Sequence, residues 1–397
     1  MNAIAAPPPG ARPAAVRPKS DEPIRVMVVD DSAFIRGILA RWISEEPDLT
    51  LIASHPNGRR AVDDVIRSQP DVAILDIEMP EMDGLQALPL ILEKRPGTAV
   101  IMASTLTRRG AEVSIRALTL GAADYVPKPD STNGLLAAAD FRHDLISKVR
   151  SLGAGVRRGK SFRTPAPATA RQSPGTSAPT TARAAAIPAA AKPKVRLRPA
   201  SMSAVRALAI GSSTGGPQAL TRFFTDAGSA LTTIPVFVTQ HMPPTFTTIL
   251  AEHIAKASGR PAAEGIDGEP VRPGHIYVAP GGKHMLVAKS NGTTVIKLSD
   301  APPVNFCKPA VDPMFQSIAD IYGSATLALV LTGMGSDGAK GATIIADGGG
   351  AVIAQDEASS VVWGMPGATA EVGACSEILP ITEIGPRVVR RISGGRS

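Results

Sequence analysis

The chain has 397 residues, 44% of them hydrophobic, two cysteines and a formal net charge of +7. That length suits two or three domains with packed cores, while two cysteines make neither a disulfide framework nor a metal cluster, and no apolar run of ~18 residues could span a membrane or act as a signal peptide. The basic excess does not imply nucleic-acid binding, because twelve of the 42 Lys and Arg fall between 145 and 203 and leave 30 basic against 35 acidic residues elsewhere. A reducing compartment is the plain reading, with Cys307 and Cys375 expected as buried free thiols rather than nucleophiles.

Residues 1–22 are rich in Ala and Pro without periodicity and read as a disordered tail. From 23 to 153, strand and helix patterns alternate. Buried-strand runs cover Ile24–Val29, Thr50–Ser54, Val72–Leu75, Ala99–Ala103 and Asp124–Val126. Helical spacing covers Phe34–Ile43, Gly58–Arg67, a segment after Gly84, about Ala111–Leu118 and about Phe141–Leu152. Such alternation predicts a doubly wound parallel sheet. The polar residues Asp30, Asp31, Asp76, Ser104 and Lys128 fall at the carboxyl ends of strands, the edge where such sheets bind ligands. Three converging carboxylates repel one another unless a hard cation neutralises them, and an oxygen-only set suits Mg²⁺. A carboxylate beside Mg²⁺, a Lys and a hydroxyl suits acceptance of a phosphoryl group.

These residues carry a resemblance. Asp30-Asp31, the Val72 to Pro80 strand and loop, Asp83-Gly84, Ser104-Thr105 and Tyr125 through Lys128-Pro129 resemble a response-regulator receiver domain. The resemblance implies a flavodoxin-like fold with Asp76 as the phosphoacceptor. It implies that Asp30 and Asp31 hold Mg²⁺, together with Asp76 and the Glu78 main-chain carbonyl. Ser104 and Lys128 would read the phosphoryl group, and Tyr125 would be a rotameric switch.

Residues 154–203 are Ala, Pro, Thr, Ser and Arg with few large apolar groups, a composition that cannot offset its own ordering entropy. They read as a flexible linker, with Lys192 to Arg198 ordered against the following domain. From 204 to 393 a second α/β pattern appears. Ala207–Ile210 is a buried strand that breaks into Gly211-Ser212-Ser213-Thr214-Gly215-Gly216 and resumes as a helix at Pro217. A dinucleotide cradle of the G-x-G-x-x-G type needs glycine at 213, where Ser stands. The nucleophile-elbow pattern G-x-S-x-G fits, with Ser213 as nucleophile. Ile234–Thr239 is a strand ending in Gln240-His241, and Phe246–Lys256 is helical. Gly- and Pro-rich hairpins are expected at His275–Ala279, Met285–Ala288 and Thr294–Leu298. A helix near Pro313–Ile321, capped by Asp312, precedes the strand Leu327–Leu331, and Ala351–Ala354 is a further strand.

Ser213, His241 and Asp337 each follow a buried strand, and parallel strands bring such ends to one edge. A serine hydroxyl is a poor nucleophile until an imidazole takes its proton, and a buried carboxylate holds that imidazole in the right tautomer. The order Ser, His, Asp along the chain differs from that of the α/β-hydrolases. Asp356 and Asp312 are rivals to Asp337, and Ser212 to Ser213.

Three motifs, Ile210 to Pro217, Thr239 to Pro244 and Leu331 to Gly338, resemble the catalytic domain of the chemotaxis protein-glutamate methylesterases. The receiver–linker–esterase order matches that family along nearly the whole chain, with a Rossmann-like parallel α/β esterase domain. By that resemblance Ser213 is nucleophile, His241 general base and Asp337 its orienter, with backbone N–H groups at Thr214 and Met334 as candidates for the oxyanion hole. The family implies demethylation of glutamyl methyl esters and deamidation of glutamines on chemoreceptors. A chemotaxis histidine kinase would phosphorylate Asp76, and the protein would be cytoplasmic, recruited to receptor arrays. Neither nucleic acid nor membrane insertion is expected, and the esterase step needs no cofactor. The alternative is a non-enzymatic response regulator with a partner-binding effector domain.

Overall fold

The computed structural model describes residues 22–128, 134–159, 196–199, 201 and 203–394. The expected tail at 1–21 and the linker stretch 160–195 lie outside the described residues, as does Pro129.

Two parallel sheets organise the chain. The first is built from β1 (Ile24–Val29), α1 (Ala33–Ser44), β2 (Leu49–His55), α2 (Gly58–Ser68), β3 (Val72–Asp76), α3 (Gly84–Lys94), β4 (Ala99–Ser104), α4 (Arg108–Thr119), β5 (Asp124–Pro127) and α5 (Gly134–Arg157). Its strand order is β2-β1-β3-β4-β5, all parallel. This is the flavodoxin-like order, whose switch point lies between β1 and β3. Strands β3 and β4 are buried at every position, which is why their sequences are continuous apolar runs rather than alternations. Helix α1 starts where the Ser32 side chain accepts the Ile35 N–H, and α3 starts with a capping box between Asp83 and Gln86. Both caps satisfy orphan donors just after the functional strand ends. Helix α5 is longer than the Phe141–Leu152 spacing suggests.

The second sheet draws on β6 (Ala207–Ser212), α6 (Gly216–Ala227), β7 (Val236–Gln240), α7 (Phe246–Ser258), β8 (Ala262–Glu264), β9 (Ile276–Val278), β10 (His284–Ser290), β11 (Thr293–Ser299), α8 (Val311–Tyr322), β12 (Thr326–Val330), α9 (Ala339–Asp347), β13 (Ala351–Gln355), α10 (Met365–Glu371), β14 (Glu377–Leu379) and α11 (Ile381–Ser393). Strands run in the order β14-β13-β12-β6-β7-β9-β8, again all parallel. Strand β6 sits at the centre, with β12 on one side and β7 on the other.

The structure corrects two readings here. The stretch His275–Ala279 is not a hairpin arm: β9 lies inside the parallel sheet between β7 and β8. Ile276, Tyr277 and Val278 are all buried, and three residues are too few to tell an inner strand from a hairpin by periodicity. Among the described strands, β10 and β11 form the antiparallel pair. Asp312 does not cap its own helix, whose N-cap is Ala310. Its carboxylate instead accepts the Gly338 and Gly341 N–H groups at 3.0 and 2.8 Å, capping the start of α9.

The two sheets meet across α4, β5, α6 and α7. The Tyr125 ring stacks on Phe246 with centroids 4.6 Å apart. Gln218 donates to the Ala122 carbonyl at 2.8 Å, and Arg108 pairs with Glu252 at 2.8 Å. Near the start of the second sheet, Arg198 donates to the Gly373 carbonyl and pairs with Asp347. Among the described residues, no helix is long and apolar enough to cross a membrane.

Candidate active site and phosphoacceptor cleft

The turn after β6 is shaped by close backbone approach. Gly215 has φ 75°, and a Cβ there would meet Val361 at 2.5 Å, so both conformation and space require glycine. Opposite it, a Cβ on Gly333 would come within 2.9 Å of the Ser213 Cβ. The turn is then pinned by hydrogen bonds. The Ser213 N–H donates to the Thr332 carbonyl at 3.0 Å, and the Ser213 carbonyl accepts from Gln240 Nε2 at 2.8 Å. Gln240 is oriented in turn by the Ser212 hydroxyl at 2.7 Å. Ser212 and Gln240 are therefore supports for Ser213, roles that the sequence hid because neither residue type announces a scaffold.

Strands β6 and β7 pair with Ser212 opposite Gln240. Ser213 and His241 each stand one residue beyond that pair, so they emerge from neighbouring strand ends. Asp337 arrives on the loop after β12, the strand on the other side of β6. Its Oδ2 lies 2.8 Å from His241 Nε2. A carboxylate only accepts, so Nε2 carries a proton and Nδ1 is the nitrogen left to act as a base. The Ser213 hydroxyl, half-buried, makes no hydrogen bond to His241; Nδ1 is instead 3.4 Å from the Cys307 sulfur.

Asp337 is 2% exposed. It accepts the Val311 and Asp312 N–H groups at 2.6 and 3.1 Å, at the N-terminus of α8. Asp312 does the same for α9, so each carboxylate caps the helix that begins beside the other. Burial pushes the Asp337 carboxyl up, but His241 and these N–H groups more than offset it and hold it below the usual range. For Asp312, burial and the nearby Asp337 prevail and raise it. Burial disfavours charge on His241, yet Asp337 and Cys307 together push it up to about 10. The rival Asp356 is taken up locally, accepting from the Ser359 N–H and hydroxyl.

The N–H groups of Thr214 and Met334 donate to no acceptor among the described residues. Thr214 opens toward the N-terminus of α6, where backbone N–H groups and the helix dipole favour negative charge.

At the first sheet's edge, Asp30, Asp31 and Asp76 bring carboxylate oxygens within 4.8 Å of one another. Lys128 Nζ bridges two of them, 2.7 Å from Asp30 and 2.8 Å from Asp76. Burial, only partly countered by Lys128, pushes Asp76 up to about 6. Burial works against charge on Lys128, but Asp76 and Asp30 raise it nonetheless. Ser104 accepts a hydrogen bond from Ser114 at 2.8 Å. A cleft of about 300 Å³ is lined by Asp31, Asp76, Glu78, Ser104, Arg109 and Lys128 among others. Arg109 was not singled out from sequence; a basic residue at the start of α4, one turn past a strand end, was the available signal. Tyr125 is buried against the second sheet's helix α7. The acid cluster fits a divalent cation: one lysine faces three carboxylates, two of them buried, and all donors are hard oxygens.

Comparison with known proteins agrees with this fold. Residues 26–140 match the response regulator receiver domain, and residues 208–388 match the CheB methylesterase domain. A protein-glutamate methylesterase/protein-glutamine glutaminase of group 2 operon from Rhodopseudomonas palustris is 57% identical, over 95% of this chain and 96% of its own. A relative of the same name from Bradyrhizobium diazoefficiens is 56% identical over 94% and 96%. A protein-glutamate methylesterase/protein-glutamine glutaminase from Nitrobacter hamburgensis is 55% identical over 98% and 99%. A parallel receiver sheet followed by a parallel sheet with a serine turn, in a chain this similar to those relatives over nearly its whole length, belongs to the CheB family of receiver-regulated chemotaxis methylesterases.

Proposed function

We propose that the chain hydrolyses glutamyl methyl esters on chemoreceptors and deamidates selected receptor glutamines, with the 23–153 receiver controlling the 204–393 esterase. The observation that carries this reading is the His241–Asp337 pair at 2.8 Å beside the pinned turn of Ser213. Ser213 Oγ attacks the ester carbonyl while Nδ1 of His241 takes its proton. The oxyanion is stabilised by the Thr214 and Met334 N–H groups. Collapse breaks the carbonyl–methoxy bond, His241 returns the proton to the leaving oxygen, and methanol departs. Water then attacks the acyl-enzyme with His241 again as base, freeing glutamate and Ser213. With glutamine the same route releases ammonia. Asp337 fixes the imidazole's orientation and stabilises its charged form throughout.

In the receiver, Asp76 accepts a phosphoryl group from a histidine kinase. Asp30, Asp31, Asp76 and the Glu78 carbonyl would hold Mg²⁺, which neutralises charge on the transferring oxygens when bound. Lys128 and Ser104 contact the phosphoryl group. Tyr125, stacked on Phe246, links that event to the second sheet. The protein works in the cytoplasm at receptor arrays. Methanol release from methylated receptor, with and without a small phosphodonor, tests the whole reading. No release in either condition would reject it in favour of a non-enzymatic effector.

A further inference from the structure

The sulfur that touches His241 belongs to a tight turn. Val304 and Cys307 exchange both backbone hydrogen bonds, at 3.1 and 2.9 Å. Between them, Asn305 and Phe306 have φ of 51° and 63°. A left-handed phenylalanine is strained, and such strain persists only where the surroundings over-determine it. Here the turn is anchored through Asn305, whose Nδ2 donates to Asp312 and Asp337 at 3.3 and 3.4 Å. One side of the turn therefore holds the acid, and the other side, Cys307, meets the base.

His241 has one nitrogen committed to Asp337. The other, Nδ1, is the only one able to receive the Ser213 proton, and Cys307 stands on it. Resting on the serine-hydrolase reading above, we propose that Cys307 is a positioning residue of ester hydrolysis. Its sulfur accepts from Nδ1–H of a protonated His241, in the place the Ser213 hydroxyl would take, and keeps the base out of use until it yields.

The charged surroundings of the imidazole are few. Asp337 faces it from the loop after β12, and Asp312 of α8 lies behind Asp337. Lys308, next to Cys307, is turned away onto the Asp300 carbonyl. From the first sheet's side, His143 of α5 approaches the turn at Phe306, with rings 6.1 Å apart. Cys307 is among the groups that raise His241, so its removal moves the imidazole's titration down.

The test compares the full chain with Cys307→Ala and Cys307→Ser. One readout is the His241 titration followed by NMR on histidine-labelled protein. The other is the pH dependence of methanol release from methylated receptor. For Cys307→Ala, the NMR midpoint and the acidic limb of kcat/KM both fall by about one pH unit. Turnover at neutral pH rises with them, KM stays the same, and Cys307→Ser lies between the variant and the parent. If the alanine variant does not fold, a lowered limb in the serine variant supports the proposal. A midpoint and limb that stay put in folded variants would reduce Cys307 to packing and overturn it. A parent chain that releases no methanol, while the midpoint still moves, would sink the esterase reading and the competition together, leaving only the contact.

Discussion

The two sheet edges use carboxylates in opposite ways. At the end of β3, Asp76 is buried with two acidic neighbours and one lysine, and its carboxyl is pushed up to about 6. After β12, Asp337 is as deeply buried, but it has an imidazole and helix N–H groups as partners and is held below the usual range. Burial acts alike on both. The partners decide the outcome: the first edge is short of positive charge and invites a cation and a phosphoryl group, while the second is already satisfied and holds an imidazolium in place. Equal topology thus underlies both the proposed switch at one edge and the proposed hydrolysis at the other.

The sharpest way to break this comparison is to remove the nucleophile. Ser213→Ala is expected to lower methanol release on the order of 10⁵-fold with the circular dichroism spectrum unchanged; substantial residual turnover would reject Ser213. Next comes Asp337→Asn, which keeps an acceptor for the Val311 N–H but loses the charge. A fall in kcat on the order of 10⁴-fold is expected, and a loss under about tenfold would deny Asp337 its orienting role. Asp76→Ala should erase activation by a small phosphodonor while basal turnover persists, and equal activation of this variant would move the phosphoacceptor elsewhere.

Asp76 also makes a stability prediction. Its folded pKa lies above the usual value, so its favourable contribution is present below about pH 4 and is lost as pH rises through about 6. Asp76→Asn should therefore be more stable than the parent chain above pH 6 without Mg²⁺, by about 3 kcal/mol. Chemical denaturation at pH 4 and pH 8 checks this, and a gap that does not widen with pH contradicts it. The smallest effect is expected at the Arg108–Glu252 pair between the sheets, whose side chains are largely exposed. Arg108→Ala should change basal methanol release by no more than about twofold; a larger change would make that pair part of the coupling.

Much was legible before any coordinates. The continuous apolar runs of β1, β3, β4, β6, β7 and β12 marked strands buried on both faces, and the polar residues at their carboxyl ends pointed to the two candidate sites. What misled was local. Asp312 beside Pro313 looked like a cap for its own helix, yet its partners are Gly338 and Gly341, 26 and 29 residues away. Cys307 looked like a bystander because two cysteines make neither a disulfide framework nor a metal cluster.

Sequence alone determined the alternation of strands and helices, the parallel sheets and the residues that reach their edges, because burial period and turn chemistry are local properties. Tertiary structure alone decided which nitrogen of His241 faces Asp337, which thiol sits on the other, and how Gln240 and Ser212 pin the Ser213 turn. Those choices depend on contacts between segments brought together only by the closing of the sheet.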